Sequence, residues 1–285
     1  MNYRHAFHAG NFADVLKHVL LVRVLRALHR KEKGLVFVDT HAGRGGYDLA
    51  KAAAGDSRAR TPEWPEGIGR LWDRTDAPAP VADYLALVRG FDQARGNLTP
   101  GPRFYPGSPR IARLVARPQD RLDLWERHPS ECACLRDEFE GERRVSVHEA
   151  DGYGAVRACL PPPERRALVL LDPPFESPGE WSDVSGALGE GLERFPSGTY
   201  AVWYPLTERA RADGFVELLR SVKVPTLAVA LVVDPMALGM RGCGVIILNP
   251  PWQFEAEARG IVTYLASVFY RGREAQGSVR WVVPE

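Results

Sequence analysis

The segment Leu168-Val169-Leu170-Leu171-Asp172-Pro173-Pro174-Phe175 sets the reading of this chain. An apolar run ends, and a carboxylate, two prolines and an aromatic ring follow at the carboxyl end of the strand it predicts. In an open α/β sheet that edge is where ligands bind. Proline fixes φ and disfavours helix at the residue before it, so Pro173 and Pro174 hold the turn stiff. The Asp172 carboxylate and the nearby backbone carbonyls then point at one spot, and Phe175 offers a flat face to a planar ligand. Acceptors beside a stacking ring suit the exocyclic amino group of a nucleobase. The plain alternative is a strand-terminating turn with a capping Asp.

Similar apolar runs lie on both sides of this segment. Leu35–Val38 ends in Asp39 and the glycines of His41-Ala42-Gly43-Arg44-Gly45-Gly46, which reads as a buried strand entering a glycine loop. Leu122–Trp125, Val145–Val147, Tyr200–Tyr204, Leu227–Val233 and Val245–Leu248 read as further strands, several separated by helix-like segments (Ile111–Ala116, Cys134–Phe139, Phe215–Val222). Alternation over such lengths predicts an α/β layered fold with a mainly parallel sheet. Residues 11–33 read as an N-terminal helix capped by Asn11, with Phe12, Val15, Leu16, Val19 and Leu20 at helical spacing until Gly34. In a dinucleotide-type half, the acid that holds a ribose lies about 20 residues past the glycine loop. Here the next strand ending in an acid is Arg121–Glu126, and Glu126 lies 87 residues beyond Asp39. The reading is therefore a core of residues 1–46 and 106–285 carrying an insertion at 47–105. That insertion is expected to be a mostly helical lid or arm, with an amphipathic run at Val81–Phe91.

Composition narrows the class. The chain has 285 residues, 45% hydrophobic and 26% charged, which suits a globular protein with a proper core. Its longest apolar stretch, Leu227–Val233, is far short of the roughly 20 residues of a membrane span. Charged residues and histidines at the N-terminus predict no secretion signal, so a cytoplasmic location is expected. Four cysteines make no disulfide framework, and Cys132-x-Cys134 lacks zinc-knuckle spacing. His5, His8 and His18 cluster near the start, but no acid or cysteine joins them at ligand spacing, so no metal site is expected.

The net charge of +1 excludes histone-like binding to nucleic acid. Yet residues 1–33 carry seven Lys/Arg against Asp14 and Glu32, and residues 89–117 carry six Arg, Arg103 and Arg110 among them, against Asp92 alone. Two such segments can form a phosphate-binding face. They can equally be solvated helix faces with acidic neighbours supplied by the fold, and on charge alone that is the commoner outcome. Lys17 and Asp14, three residues apart, either pair with each other or leave Lys17 for a phosphate.

Asp172-Pro173-Pro174-Phe175 resembles the D-P-P-[YF] motif of methyltransferases acting on adenine N6. Asp39-x-x-x-Gly43-x-Gly45 is similar to the glycine-rich first motif of S-adenosylmethionine (SAM) enzymes. Tyr3-Arg-His-x-Phe-His-Ala-Gly-Asn11, Ala13-Asp-Val-Leu-Lys-His18, Asp39-Thr-His-Ala-Gly43 and Tyr105-Pro-Gly-Ser-Pro109 resemble the RlmJ family of 23S ribosomal RNA adenine-N6-methyltransferases. The resemblance covers essentially the whole chain and is loosest at Glu63–Pro80. It implies a Rossmann-like SAM-dependent methyltransferase fold with an N-terminal helix and an inserted small helical subdomain. It also implies that His18, His41, Gly43, Ser108, Glu126, Asp151 and Gly152 contact SAM, that Asp172 is catalytic with Pro173 and Phe175 beside it, and that Tyr3 meets the RNA. The family's target is adenine 2030. Lys17, Arg103 and Arg110 are taken as further RNA contacts, and the enzyme is expected to act as a monomer without a metal.

Chemistry agrees with most of these roles. Glu126 sits where a ribose diol needs an acceptor, and Ser108 before Pro109 is expected to cap the following helix, whose N-terminal end suits a carboxylate. Without the resemblance, Glu126 reads as a surface acid and Ser108 as a plain cap. Two competing functions are weighed against this one. Another amino-group methyltransferase, acting on DNA adenine, cytosine N4 or protein glutamine, would keep the motif. A non-catalytic RNA-binding scaffold would keep the fold, but the intact Asp172, Glu126 and glycine loop argue against it.

Overall fold

The structure is a computed structural model that describes residues 5–54, 61–207, 209–237, 239–270 and 276–285. In chain order the elements are α1 (His5–His8), α2 (Phe12–Leu28), β1 (Val36–Asp39), β2 (Gly46–Asp48), α3 (Leu49–Ala54), α4 (Ile68–Leu71), α5 (Ala79–Ala94), β3 (Phe104–Pro106) and α6 (Ser108–Val115). There follow β4 (Arg121–Glu126), α7 (Pro129–Glu138), β5 (Val145–Glu149), α8 (Tyr153–Cys159), β6 (Ala167–Leu171), α9 (Glu180–Arg194) and β7 (Thr199–Pro205). The chain closes with α10 (Arg209–Leu218), β8 (Thr226–Val232), β9 (Gly242–Leu248), α11 (Phe254–Phe269) and β10 (Gln276–Val283).

Eight strands form one sheet in the order β10-β8-β9-β7-β6-β1-β4-β5. Neighbours from β5 through β7 pair in parallel, whereas β9 runs antiparallel to both β7 and β8, and β10 antiparallel to β8. Side-chain alternation explains why the strands read as unbroken apolar runs. On β6, Leu168 and Leu170 enter one buried cluster with α2, α5, α6 and α11, while Val169 and Leu171 enter the other with α8 and α9. A strand covered on both faces needs apolar residues at every position.

The seven expected strands are all present, while β2, β3 and β10 were not expected. The N-terminal helix ends earlier than its pattern suggested, at Leu28 instead of near Gly34. Two guanidiniums end it. Arg117 donates to the carbonyls of His29, Lys31 and Lys33, and Arg166 donates to those of Leu28 and Lys33, which takes these acceptors away from further helical turns. The ends of the 47–105 segment are drawn together by the β2–β3 ladder, with Tyr47 opposite Tyr105. Its helix α5 buries Val81, Tyr84, Leu85 and Val88 in the same cluster as α2, so this segment packs onto the body of the molecule and does not stand off as an arm. Among the described residues no helix is long and apolar enough to cross a membrane.

Candidate active site

A cavity of about 910 Å³ opens at the carboxyl ends of β1, β4 and β6, and its lining includes Lys17, His41, Glu126, Asp151, Asp172 and Phe175. Three parallel strands ending in Asp39, Glu126 and Leu171 lie side by side in the order β6-β1-β4, so loops distant in sequence meet at one edge. The N-terminal half of α2 closes one wall. Asn11 caps this helix by accepting from Asp14 N at 2.9 Å, and Asp14 Oδ2 accepts from Gly10 N at 3.0 Å. The double cap holds Asp14 in the first turn and places Lys17 one turn later, on the same face.

Lys17 does not project to a phosphate. Its side chain is 5% exposed, and its ammonium lies 2.8 Å from Asp14 Oδ1 and 2.5 Å from Asp172 Oδ2. Burial works against its charge, but the two carboxylates outweigh burial and raise the Lys17 pKa well above the usual lysine range. The residue read as an RNA contact is thus a buried cation that ties α2 to the carboxylate after β6.

The glycine loop carries the second cluster. Gly43 has φ +59°, and a Cβ there would stand 2.5 Å from Tyr47 Oη, so a side chain is excluded on two counts. Its N–H donates to Glu126 Oε2 at 2.8 Å, and His128 N donates to Glu126 Oε1 at 2.7 Å. Burial raises the Glu126 pKa, and these two backbone donors oppose it. Gly152 is needed for close approach, because a Cβ would run into the Thr40 carbonyl after β1. The neighbouring Asp151 stays exposed on the cavity rim.

Ser108 does not cap α6. The N-cap is Gly107 and makes no side-chain cap bond, while Ser108 Oγ donates to Asp39 Oδ2 at 2.7 Å. Asp39 is fully buried and its pKa is pushed up to about 7; burial is the main cause, partly offset by the Ser108 hydroxyl. Burial also lowers His41 to about 3, so His41 is neutral. Thr40 Oγ1 lies 3.0 Å from the Leu170 carbonyl and 2.7 Å from His41 Nδ1, so this hydroxyl ties the imidazole to the end of β6.

Phe175 stands on strained backbone with φ +51° and lies 4.5 Å from the Trp181 ring and 6.0 Å from the Trp203 ring, centroid to centroid. A positive φ on a bulky residue persists only where surrounding packing enforces it, and such sites concentrate where ligands bind. Trp203, from β7, lines the same cavity. Sequence reading missed it, because inside an apolar run an aromatic residue looks like core.

Many of the cations in the basic segments are paired with carboxylates supplied by the fold. Arg110 is 14% exposed, held by Glu138 at 2.8 Å and Glu142 at 3.4 Å, with its guanidinium 4.3 Å from the Phe139 ring centroid. Arg95, Arg113 and Arg117 pair with Glu138, Glu142 and Asp120, and Arg23 and Arg26 both meet Asp83. Arg110 as a phosphate contact is therefore corrected: its charge is spent on α7 and the loop after it. Arg103 is different, at 47% exposed with Asp48 as far as 3.7 Å. Tyr3 lies outside the described residues.

A family model described as "Ribosomal RNA large subunit methyltransferase D, RlmJ" matches residues 32–283. The chain belongs to the RlmJ family. Two relatives, each named Ribosomal RNA large subunit methyltransferase J, align over the full length of both chains. The Escherichia coli K12 protein is 40% identical and the Haemophilus influenzae protein 39%. A crystal structure of a Legionella pneumophila protein superposes with a TM-score of 0.86 at 36% identity, covering 96% of this chain and 98% of that one. The sheet described above is thus the Rossmann-like methyltransferase sheet as RlmJ-family chains build it.

Proposed function

We propose that this RlmJ-family chain methylates N6 of an adenine in 23S ribosomal RNA, at the family's target adenine 2030, using SAM. We place it in the cytoplasm, acting as a monomer, with residues 47–105 as an inserted helical subdomain on a core of 1–46 and 106–285. The observation that carries the reading is the Asp172 carboxylate after β6, fixed from one side by Lys17 and followed by Phe175, in the same cavity as the backbone-held Glu126.

The donor set fits SAM. Glu126 is an aligned acceptor for a ribose diol, and Asp151 with the close-packed Gly152 supplies an adenine-facing edge. His18, His41 and Ser108 at the start of α6 offer polar groups for the amino-acid end. When bound, SAM supplies a methyl group made electrophilic by its sulfonium. An adenine amine is a poor nucleophile because its lone pair is delocalised into the ring. Asp172 and the Pro173 carbonyl accept its hydrogen bonds, favour a more tetrahedral nitrogen and aim its lone pair; Asp172 then takes the N6 proton. Positioning and preorganised acceptors supply most of the effect, with no covalent intermediate. Stacking on Phe175 compensates for taking the base out of the RNA stack, a cost of a few kcal/mol. Arg103 and Tyr3 are the RNA contacts in this reading.

The test is SAM-dependent radiolabelling of RNA, DNA and protein in parallel. Label in 23S RNA as N6-methyladenine supports the reading. Label confined to DNA or protein assigns the same chemistry to another substrate, and absent SAM binding by calorimetry leaves only a scaffold.

A further inference from the structure

The cofactor-facing His18 is tied to the 47–105 segment by a chain of two buried phenols. Tyr84 on α5 and Tyr105 on β3 are both 0% exposed. Their hydroxyls are 2.8 Å apart, and Tyr105 Oη is 2.8 Å from His18 Nδ1. Burial raises the pKa of both phenols, so each keeps its one proton. That fixes the direction of the chain. If His18 Nδ1 donated to Tyr105, Tyr105 would donate to Tyr84, and the Tyr84 hydrogen would have no acceptor among the described residues. A buried hydroxyl left in that state is destabilising. In the opposite direction both phenol hydrogens are used: Tyr84 donates to Tyr105, Tyr105 donates to Nδ1, and the hydrogen of His18 sits on Nε2. Asp14 Oδ1, 3.9 Å from Nε2, favours the same tautomer.

We infer that Tyr84 and Tyr105 are positioning residues: they fix His18 as its Nε2–H tautomer, so that it donates to the carboxylate at the amino-acid end of the cofactor. The inference rests on the cofactor reading above. With Glu126 taking the ribose, the amino-acid end falls to the side of the cavity where His18 and Ser108 lie.

The experiment measures, by calorimetry, the binding of S-adenosylhomocysteine and of 5′-methylthioadenosine, which lacks the amino-acid end, to the full-length wild-type chain and to Tyr105→Phe and Tyr84→Phe. Tyr105→Phe should weaken S-adenosylhomocysteine about tenfold and leave methylthioadenosine nearly unchanged, the scale of one lost oriented hydrogen bond. Tyr84→Phe should show a smaller loss with the same selectivity. Equal weakening of both ligands, or of neither, overturns the inference. The ¹⁵N spectrum of His18 in the ligand-free wild-type chain, assigned by difference against His18→Gln, should show a bare Nδ1 and a protonated Nε2; the reverse pattern also overturns it. A wild-type chain that binds neither ligand overturns the cofactor reading, while the nitrogen spectrum still decides the tautomer.

Discussion

Lys17→Met tests the reassignment of Lys17 from phosphate ligand to buried cation. Methionine keeps the length of the side chain and removes the charge. Asp14 and Asp172, at 2.8 and 2.5 Å from the ammonium, then face each other without it in a site where Lys17 is 5% exposed. Removing one partner of a buried ion pair destabilises by about 3–5 kcal/mol, because the remaining charge stays desolvated. With a urea m-value near the upper end of about 1–3 kcal/mol/M, the unfolding midpoint should drop by roughly 1 M or more. Adding Asp14→Asn to Lys17→Met should recover a large part of that loss, since it removes one of the two stranded carboxylates. Lowering the pH should narrow the gap to wild type as the carboxylates protonate. The assay is urea unfolding followed by tryptophan fluorescence across a pH series. A loss below about 1 kcal/mol, with RNA affinity falling and its salt dependence flattening, would refute the buried-cation account and return Lys17 to the phosphate.

Phe175→Tyr should remain active, whereas Phe175→Ala should lose methyl transfer at subsaturating RNA by the roughly 1–3 kcal/mol that base stacking contributes; equal rates for Ala and Phe would remove stacking from the mechanism. Arg110→Glu should lower thermal stability, since it sets a third acid against Glu138 and Glu142, and should leave the salt slope of RNA binding unchanged in filter retention. Arg103→Glu should instead weaken RNA binding and flatten that slope by roughly one unit. Burial raises Asp39 from 3.8 to about 7 in the fold. Between those values the unfolded chain has lost this proton while the folded chain keeps it, so this contribution to stability falls as pH rises and is flat outside that window. The stability of Asp39→Asn relative to wild type should therefore climb by about 1.4 kcal/mol per pH unit from roughly pH 4 to 7, and a pH-independent difference contradicts the assignment.

Strands β1, β6, β7, β8 and β9 were legible because they are buried on nearly every residue and so declare themselves as apolar runs, whereas β4 and β5 showed as shorter runs alternating with polar residues. The edge strand β10 escaped notice because Gln276, Gly277 and Ser278 are exposed and only Val279 and Val282 are buried on it. Asp172, Glu126 and the glycine loop were readable from their places at strand ends. Partners were not readable: the roles of Lys17, Arg110 and Ser108 depend on Asp172, Glu138 and Asp39, which lie 155, 28 and 69 residues away along the chain. A lysine or arginine looks the same in a sequence whether the fold brings it a carboxylate or leaves it for a phosphate. The Tyr84–Tyr105–His18 chain was invisible for a related reason, since tyrosines inside apolar patterns read as core until their hydroxyls are seen to meet.

In the proposed function the Asp172 site methylates N6 of one adenine in 23S ribosomal RNA. The most direct measurement maps N6-methyladenine in 23S RNA from a strain lacking this chain, complemented with wild type or with Asp172→Ala. One site should be lost in the deletion, restored by wild type, and not restored by Asp172→Ala, even though purified Asp172→Ala should bind SAM within about tenfold of wild type while losing at least about 10²-fold in rate. An unchanged methylation map in the deletion, or full restoration by Asp172→Ala, would contradict it.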